Sequence, residues 1–539
     1  MKTYTCIRSC RGNRSTLWFF ILFCWILLGT AGPVMVHAGE LEQRTLLLRP
    51  PVSAPAIDDQ TLVQMSVTSP QKRHYLSRKD FGRIYGIDAA DLQLIKTFAN
   101  DNQLTMQRVD LASRLITLSG TKESLDTLDS LPKEVAKRVA HIFSEEKEPT
   151  NHAQATPQPP QIPSFRVQSY TPPQLAQLYD FPEELDGKGQ TIAIIAFDMG
   201  FQRNVLKAYF SALGKPLPEI VTVPVGGFTP PQRSDFEVTM DIEVAGSMAP
   251  GAKIVVYLAD NSPRGWYEAM ATAIHDPIHR PDILSVSFAF YEDEERKEVM
   301  HLHNRLFSEA ALLGVTVTAA AGDLGSGAGA PDCLAHAYFP ASSPYVLAVG
   351  GTTLISTTKP LGRYAEVAWD ARAFGGLVTG GGVSQYFQLP QWQQVAHVPY
   401  SANPAWPGSV YVKKDATWTR AGRGFPDVAA HADNFFSGIL IAVEEKKGKA
   451  LMVEEGGGTS AAAPLWAALI ARLNQGVGNR LGYLNPLLYR LQLIERQDLF
   501  NDITIGNNGA YNAGPGWDPL SGLGTPKGKA LLKALRKLQ

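Results

Sequence analysis

Apolar and polar positions follow two regimes on either side of a proline-rich stretch. Between residues 39 and 148, short amphipathic helical patterns cover Ser77–Tyr85 and Asp88–Asn100. Two strand-like runs follow, Leu104–Val109 and Arg114–Leu118, and another helix starts near Thr121. That succession predicts a small α+β domain. From Glu145 to Arg166, Pro149, Pro157, Pro159, Pro160 and Pro163 lie among Gln, Asn and Ser, the composition of an extended, protease-accessible linker.

Beyond the linker, apolar runs and helical patterns alternate. The runs are Thr191–Phe197, Lys253–Leu258, Ile283–Phe288, Val315–Ala320 and Tyr345–Val349. Helical patterns fill the intervals at Gln202–Leu213, Glu237–Met248, Gly265–His275 and Glu294–Leu313. Strands that are apolar almost throughout predict a parallel sheet covered by helices on both faces. A site is then expected in the loops after the strand carboxyl ends. There is no internal repeat.

The N-terminus adds a targeting segment. Lys2, Arg8, Arg11 and Arg14 precede the apolar run Leu17–Leu28, and Val36-His37-Ala38 offers a small-x-small cleavage site before Gly39. Residues 1–38 thus read as a signal peptide, and the protein as secreted, extracellular or periplasmic. The competing reading is an uncleaved anchor, although the run falls short of the ~20 residues that span a bilayer.

Charge and cysteines refine this picture. The 50 Lys+Arg nearly balance the 51 Asp+Glu, which excludes a generally cationic nucleic-acid binder. Three of the four cysteines, Cys6, Cys10 and Cys24, lie in the targeting segment. The exported remainder keeps one thiol, Cys333, and therefore no internal disulfide.

Three segments carry candidate chemistry. Gly457-Gly458-Thr459-Ser460-Ala461-Ala462-Ala463-Pro464 precedes an apolar helical run, Leu465–Leu473. Glycines permit a tight turn, and Ser460 at a helix N-terminus sits where developing negative charge is favoured. Pro464 fits a first helical turn. The same octapeptide also suits an ordinary Ser/Thr cap. A serine nucleophile needs a base, and none of the 11 His is followed by Gly, as a subtilisin-type triad would require. Asp198-Met199-Gly200 cannot complete that triad alone. Carboxylates are the alternative. Glu237 and Asp241 lie four apart, hence on one helix face, among the apolar Val238, Met240, Ile242, Val244 and Ala245. Close carboxylates tend to share a proton, although such spacing also marks solvated helix faces. Asp323, in Ala321-Gly322-Asp323-Leu324-Gly325-Ser326, follows the strand Val315–Ala320 and serves equally as a turn residue.

Together, in this order, the three segments resemble the sedolisins, the serine-carboxyl peptidases. The resemblance continues through Phe339-Pro-Ala-Ser-Ser-Pro-Tyr-Val-Leu-Ala-Val-Gly-Gly-Thr352, Gly380-Gly-Gly-Val-Ser384 and Phe425-Pro-Asp-Val428. Arg73-His-Tyr-Leu-Ser77 and Leu118-Ser-Gly-Thr121 look like that family's activation propeptide. The resemblance implies Ser460 as nucleophile, Glu237 as general base, Asp241 as the residue orienting it, and Asp323 in the oxyanion hole. It also implies a subtilisin-like α/β fold after a small α+β propeptide domain. The implied organisation is signal peptide 1–38, propeptide with linker 39–165 and catalytic domain 166–539. The expected protein is a monomeric, acid-active, self-processing proenzyme that cuts polypeptides and carries its propeptide as an intramolecular inhibitor. Ala196, Phe288 and Ala289 depart from residues usual in the family (Glu, Trp and Gly), so an outer proton relay is expected to be missing. The other functional classes are a catalytically inactive homologue that binds peptides, against which the four intact residues count, and a subtilisin-type alkaline peptidase.

A last segment is rich in oxygen donors: Phe500-Asn-Asp502-Ile503-Thr-Ile-Gly-Asn-Asn-Gly509, then Gly514-Pro-Gly516-Trp-Asp518-Pro. Such a composition also makes a plain surface loop. By the resemblance it is one structural Ca²⁺ site, with carboxylates from Asp502 and Asp518 and carbonyls from Ile503, Gly514 and Gly516. The donor set suits a hard cation.

Overall fold

The computed structural model describes residues 41–144, 169–293, 297–330, 334–356, 365–374, 376–401, 421–445 and 451–538. Residues 1–38, expected to be a signal peptide, the linker prolines and Cys333 lie outside the described residues.

The N-terminal part is an antiparallel four-stranded sheet in the order β2-β3-β1-β4, built from β1 (Glu42–Leu48), β2 (Thr105–Asp110), β3 (Leu115–Gly120) and β4 (Val139–Ser144). Its helices include α1 (Asp59–Val67), α2 (Arg78–Tyr85) and α3 (Ala89–Asp101). Ser77 caps α2 and Asp88 caps α3, each accepting a backbone N–H from the first turn. The predicted elements thus stand within a residue or two of their expected bounds, whereas β1 and β4 were not anticipated. The reason lies in β1, where successive leucines serve different cores. Leu46 and Leu48 face the domain's own interior, while Leu47 points into the neighbouring domain.

The larger domain holds an eight-stranded sheet, parallel but for one edge strand. The strands are β5 (Thr191–Phe197), β6 (Ile220–Pro224), β7 (Lys253–Ala259), β8 (Ile283–Val286), β10 (Thr316–Ala320), β12 (Leu347–Ser356), β13 (Ala365–Ala368) and β14 (Val428–His431). They run in the order β13-β12-β10-β8-β5-β7-β6, with β14 also pairing β12. A two-strand ribbon, β9 (Phe290–Tyr291) with β11 (Tyr338–Phe339), stands beside it. Alternation within the strands sorts the core. Ile192, Ile194 and Ala196 pack with α4 (Phe236–Met248) and α7 (Thr459–Val477) on one face. Ala193, Ile195 and Phe197 pack with α5 (Pro263–His275) and α6 (Lys297–Leu313) on the other. Each such large apolar side chain contributes roughly 1.5–3 kcal/mol when fully buried, so both helical layers are firmly held.

The N-terminal sheet docks on the α5–α6 layer. Leu47, Phe81, Tyr85, Leu115 and Phe143 join the core beneath those helices. Polar links accompany them: Arg114 donates to Glu309 at 2.6 Å, and Arg108 to Glu268 at 3.1 Å. A second arm, residues 59–77, reaches the far side of α6. There Arg73 donates to the Leu481 carbonyl at 2.6 Å, and the Tyr75 ring lies against Gly314 and Gly482.

Candidate active site

α7 is longer than its apolar run suggests. It begins at Thr459, with Gly458 as N-cap at φ +81°, and ends at Val477. Pro464 therefore lies inside the helix rather than in its first turn, which corrects the sequence-based placement. The consequence is local. Pro464 has no N–H to offer the Ser460 carbonyl four residues earlier, and the Ser287 hydroxyl lies 3.2 Å from that oxygen instead.

Gly458 is required by more than its φ. A Cβ there would stand 2.5 Å from Asp323 Oδ2, so the turn must be bare for Asp323 to approach. Asp323 Oδ1 accepts the Thr459 backbone N–H at 2.8 Å and the Thr459 hydroxyl at 2.7 Å. The Thr459 hydroxyl in turn accepts the Gly322 N–H at 3.0 Å. These bonds fix the β10 loop to the start of α7, next to the nucleophile candidate. Burial pushes the Asp323 carboxyl above the usual range, against the Thr459 bonds that favour its charge.

Glu237 occupies the first turn of α4 and Asp241 the next. Asp235, immediately before the helix, accepts the Gly200 N–H at 2.8 Å and Arg233 Nε at 2.7 Å, anchoring this end. Asp241 is fully buried. Burial, then the neighbouring Glu237 charge, holds its pKa well above the ordinary value, with the Ser287 hydrogen bond opposing. For Glu237, burial comes first, Ser460 opposes as a hydrogen-bond partner, and Asp323 adds repulsion; the carboxyl is pushed up to about 8. Glu237 Oε1 and Asp241 Oδ2 are both buried without a hydrogen-bond partner.

Ser287, one residue beyond β8, links these groups. Its hydroxyl donates to Asp241 Oδ1 at 2.9 Å, and its carbonyl accepts from Ser460 Oγ at 3.1 Å. Sequence reasoning overlooked Ser287 and Thr459. The available signal was their position, one at the carboxyl end of a central parallel strand and the other at a helix start. The four residues singled out, Glu237, Asp241, Asp323 and Ser460, do converge here. Asp198 does not: it is exposed, with φ +53°. At the departing positions, Ala196 is buried with no carboxyl to offer, and Phe288 packs edge-on against Phe197 and Trp266.

The C-terminal loop gathers Asp502 and Asp518. Gly516 N–H donates to Asp502 Oδ2 at 2.9 Å; Leu520 N–H and Ser521 N–H donate to Asp518 Oδ1 at 2.8 and 2.9 Å. Gly514 and Gly516 have open space where a Cβ would stand. Ile503 is buried beside Leu520 and Tyr511. Among the described residues no group of three or more His, Cys, Asp or Glu could hold a metal. A cation here would therefore draw on two carboxylates and backbone carbonyls, a hard-oxygen set that fits Ca²⁺ and not softer metals.

Comparison with known proteins identifies this constellation's setting. The model of the subtilase family, Peptidase_S8, matches residues 235–492. Kumamolisin of Bacillus sp. (strain MN-32) is 40% identical over 511 residues, covering 88% of each chain. Tripeptidyl-peptidase sed5 of Aspergillus fumigatus is 27% identical over 92% of this chain and 93% of its own. Among solved structures, Pseudomonas sedolisin in complex with pseudo-iodotyrostatin aligns with a TM-score of 0.56 and 27% identity, covering 69% of this chain and 99% of that one. The chain belongs to the sedolisin family: it is a serine-carboxyl peptidase that acts on polypeptides.

Proposed function

We propose that Ser460 attacks the peptide carbonyl, Glu237 takes its proton and Asp241 orients Glu237. The observation that carries this reading is the Ser287 bridge, one residue touching both Asp241 and Ser460. The unpartnered Glu237 Oε1 and Asp241 Oδ2 are both satisfied by a single proton shared between the carboxyls. That pair then carries one negative charge, enough to receive the serine proton and return it to the leaving amine. Asp323, held against the helix N-terminus and kept neutral by burial, donates to the oxyanion. Water completes the cycle by attacking the acyl-serine while Glu237 again takes a proton.

Activity rises and falls with these protons. A second proton on the Glu237–Asp241 pair removes the base on the acid side. Loss of the Asp323 proton removes the oxyanion donor on the alkaline side. The result is a bell on the acid side of neutrality, where a histidine base would be protonated.

In this reading residues 1–38 direct secretion, and the N-terminal domain with the linker to about residue 165 is the inhibitory propeptide. The enzyme cuts that linker itself in acid. Asp502, Asp518 and the carbonyls of Ile503, Gly514 and Gly516 would hold one Ca²⁺, which would supply charge neutralisation alone and brace the C-terminal loops. The test is acid incubation of purified precursor. Wild type is expected to be cut between residues 144 and 169, and Ser460→Ala to remain full length. Normal processing of pure Ser460→Ala would refute self-cleavage by this serine.

A further inference from the structure

The chain reaches Ser460 from a hairpin. β15 (Ile439–Glu445) and β16 (Leu451–Gly456) pair antiparallel, with Ile439 opposite Gly456 and Leu440 opposite Glu455. β16 runs straight into Gly457-Gly458-Thr459-Ser460, so the hairpin's place sets that of the turn. A two-stranded ribbon is marginal by itself, and this one is held from both sides. Glu243 on α4, two residues past Asp241, accepts the Ala442 N–H at 2.8 Å. Tyr209, on the helix Arg203–Ala212, donates its hydroxyl to the Leu440 carbonyl at 3.0 Å. The helix bearing Glu237 and Asp241 is thereby keyed to the ribbon that delivers the serine.

The other attachment comes from the first described residues after the linker. Tyr170 N–H donates to the Gly438 carbonyl at 2.8 Å, and the Tyr170 carbonyl accepts the Leu440 N–H at 2.8 Å, a parallel bridge to Ile439. The Ser169 hydroxyl reaches across to Glu455 Oε1 on β16 at 2.5 Å. These two residues thus extend the ribbon by a short third segment. The Tyr170 ring is 1% exposed and stands edge-on to His431, with centroids 5.7 Å apart. His431 opens a loop whose next residue, Ala432, accepts the Gly458 N–H at 2.7 Å. That loop presses on the turn: a Cβ on Gly457 would stand 2.6 Å from the Ala432 oxygen and 2.7 Å from Asn434 Cβ. The backbone of Tyr170 therefore braces the hairpin and its ring braces the loop, and both routes end at Gly457–Gly458. The Tyr170 hydroxyl has no hydrogen-bond partner among the described residues, so ring and backbone carry the effect.

We propose that Tyr170 is a positioning residue for the reaction: Ser169 and Tyr170 stay with the catalytic domain when the linker is cut, and by bracing the hairpin and the 431–438 loop they hold the turn that presents Ser460. This rests on Ser460 as nucleophile and on removal of the linker. It sets a limit to trimming, because an enzyme shortened past Tyr170 loses the brace.

The test joins two measurements on acid-activated protein. Mass spectrometry of wild type should find an N-terminus at or before Ser169. On one peptide, Tyr170→Ala should lower kcat per folded molecule by ~10–100-fold, the order that a displacement of about 1 Å costs. KM should stay unchanged, because what is lost is alignment for the reaction and not substrate binding. Tyr170→Phe keeps ring and backbone and should keep the wild-type kcat. A fully active enzyme that begins beyond Tyr170, wild-type kcat in Tyr170→Ala, or equal losses in Tyr170→Phe and Tyr170→Ala would each overturn the proposal. A lowered melting temperature with kcat intact would overturn it too, leaving Tyr170 a purely structural role. If Tyr170→Ala does not fold, Tyr170→Leu carries the same prediction with less volume removed. Activity that survives in Ser460→Ala would instead overturn the serine mechanism, whatever Tyr170 does.

Discussion

Glu237 on α4 and Glu309 on α6 both lose water on folding, and for both this desolvation is the largest influence on the proton. Glu309 then meets Arg114 at 2.6 Å and His275 at 3.1 Å, with Arg305 at 3.7 Å, and its carboxyl is held below the ordinary range. Among the described residues Glu237 meets no such cation; Ser460 opposes its desolvation only in part, and the carboxyl rises to about 8. The contrast separates two uses of a buried acid. Where a fixed charge joins two domains, the chain supplies an arginine. Where a proton must move, it withholds one. The arginine comes from the N-terminal domain, so the charge on Glu309 is tied to that domain's docking.

The largest effect expected from breaking this contrast is at the interface. Glu309→Gln removes the anion and leaves Arg114 buried and unpaired, which should cost ~3–5 kcal/mol of docking or stability. Glu309 has a lowered pKa, so its contribution is present above the ordinary carboxylate value of ~4.3 and lost as pH falls through the lower folded value. Linker-cut wild-type precursor should therefore keep its N-terminal domain at neutral pH and shed it in acid, as size-exclusion chromatography would show. The variant should shed it already at neutral pH. Retention identical to wild type at every pH would remove Glu309 from the account.

The C-terminal loop would offer a third arrangement if an ion took the place of the arginine. If Ca²⁺ binds Asp502 and Asp518, EDTA should lower the melting temperature of Ser460→Ala precursor, by an amount corresponding to ~2.7 kcal/mol when calcium is ~100 times its Kd. An unchanged melting temperature would argue against the site.

The smallest expected effect sharpens the contrast through its sign. A carboxyl raised to about 8 binds more protons folded than unfolded, so its presence lowers stability as pH rises from the ordinary carboxylate range to about 8. Glu237→Gln should therefore stabilise the precursor by ~0.5–2 kcal/mol at neutral to mildly alkaline pH, with little change in acid, while abolishing activity. Thermal melts at both pH values decide it. Equal gain at both would mean that Glu237 is not the buried, uncompensated acid described.

Much of this was legible from the chain itself. The apolar run Thr191–Phe197 gives β5 to the residue, because both its faces are buried and the run is therefore uninterrupted, whereas Tyr345–Val349 covers only the start of β12, and β6 and β14 were not anticipated. Glu237, Asp241, Asp323 and Ser460 stand in segments whose order resembles one family, and the fold brings them together. Ser287 was hidden because a serine ending a strand carries no pattern of its own. Its role arises only when folding sets the end of β8 between α4 and the start of α7, so that its hydroxyl meets Asp241 and its carbonyl meets Ser460. β1 was hidden for a different reason: Leu46, Leu47 and Leu48 alternate between two cores, which reads along the sequence as a short apolar patch.

The central claim is that Ser460 works with a carboxylate pair that shares a proton. Its most direct test is kcat/KM of the acid-activated enzyme on one peptide from acid to alkaline pH, beside Ser460→Ala and Glu237→Gln carried through the same treatment. The account predicts a single bell on the acid side of neutrality, absent in both variants. A maximum in the alkaline range, or peptidase activity surviving in Ser460→Ala, would contradict it.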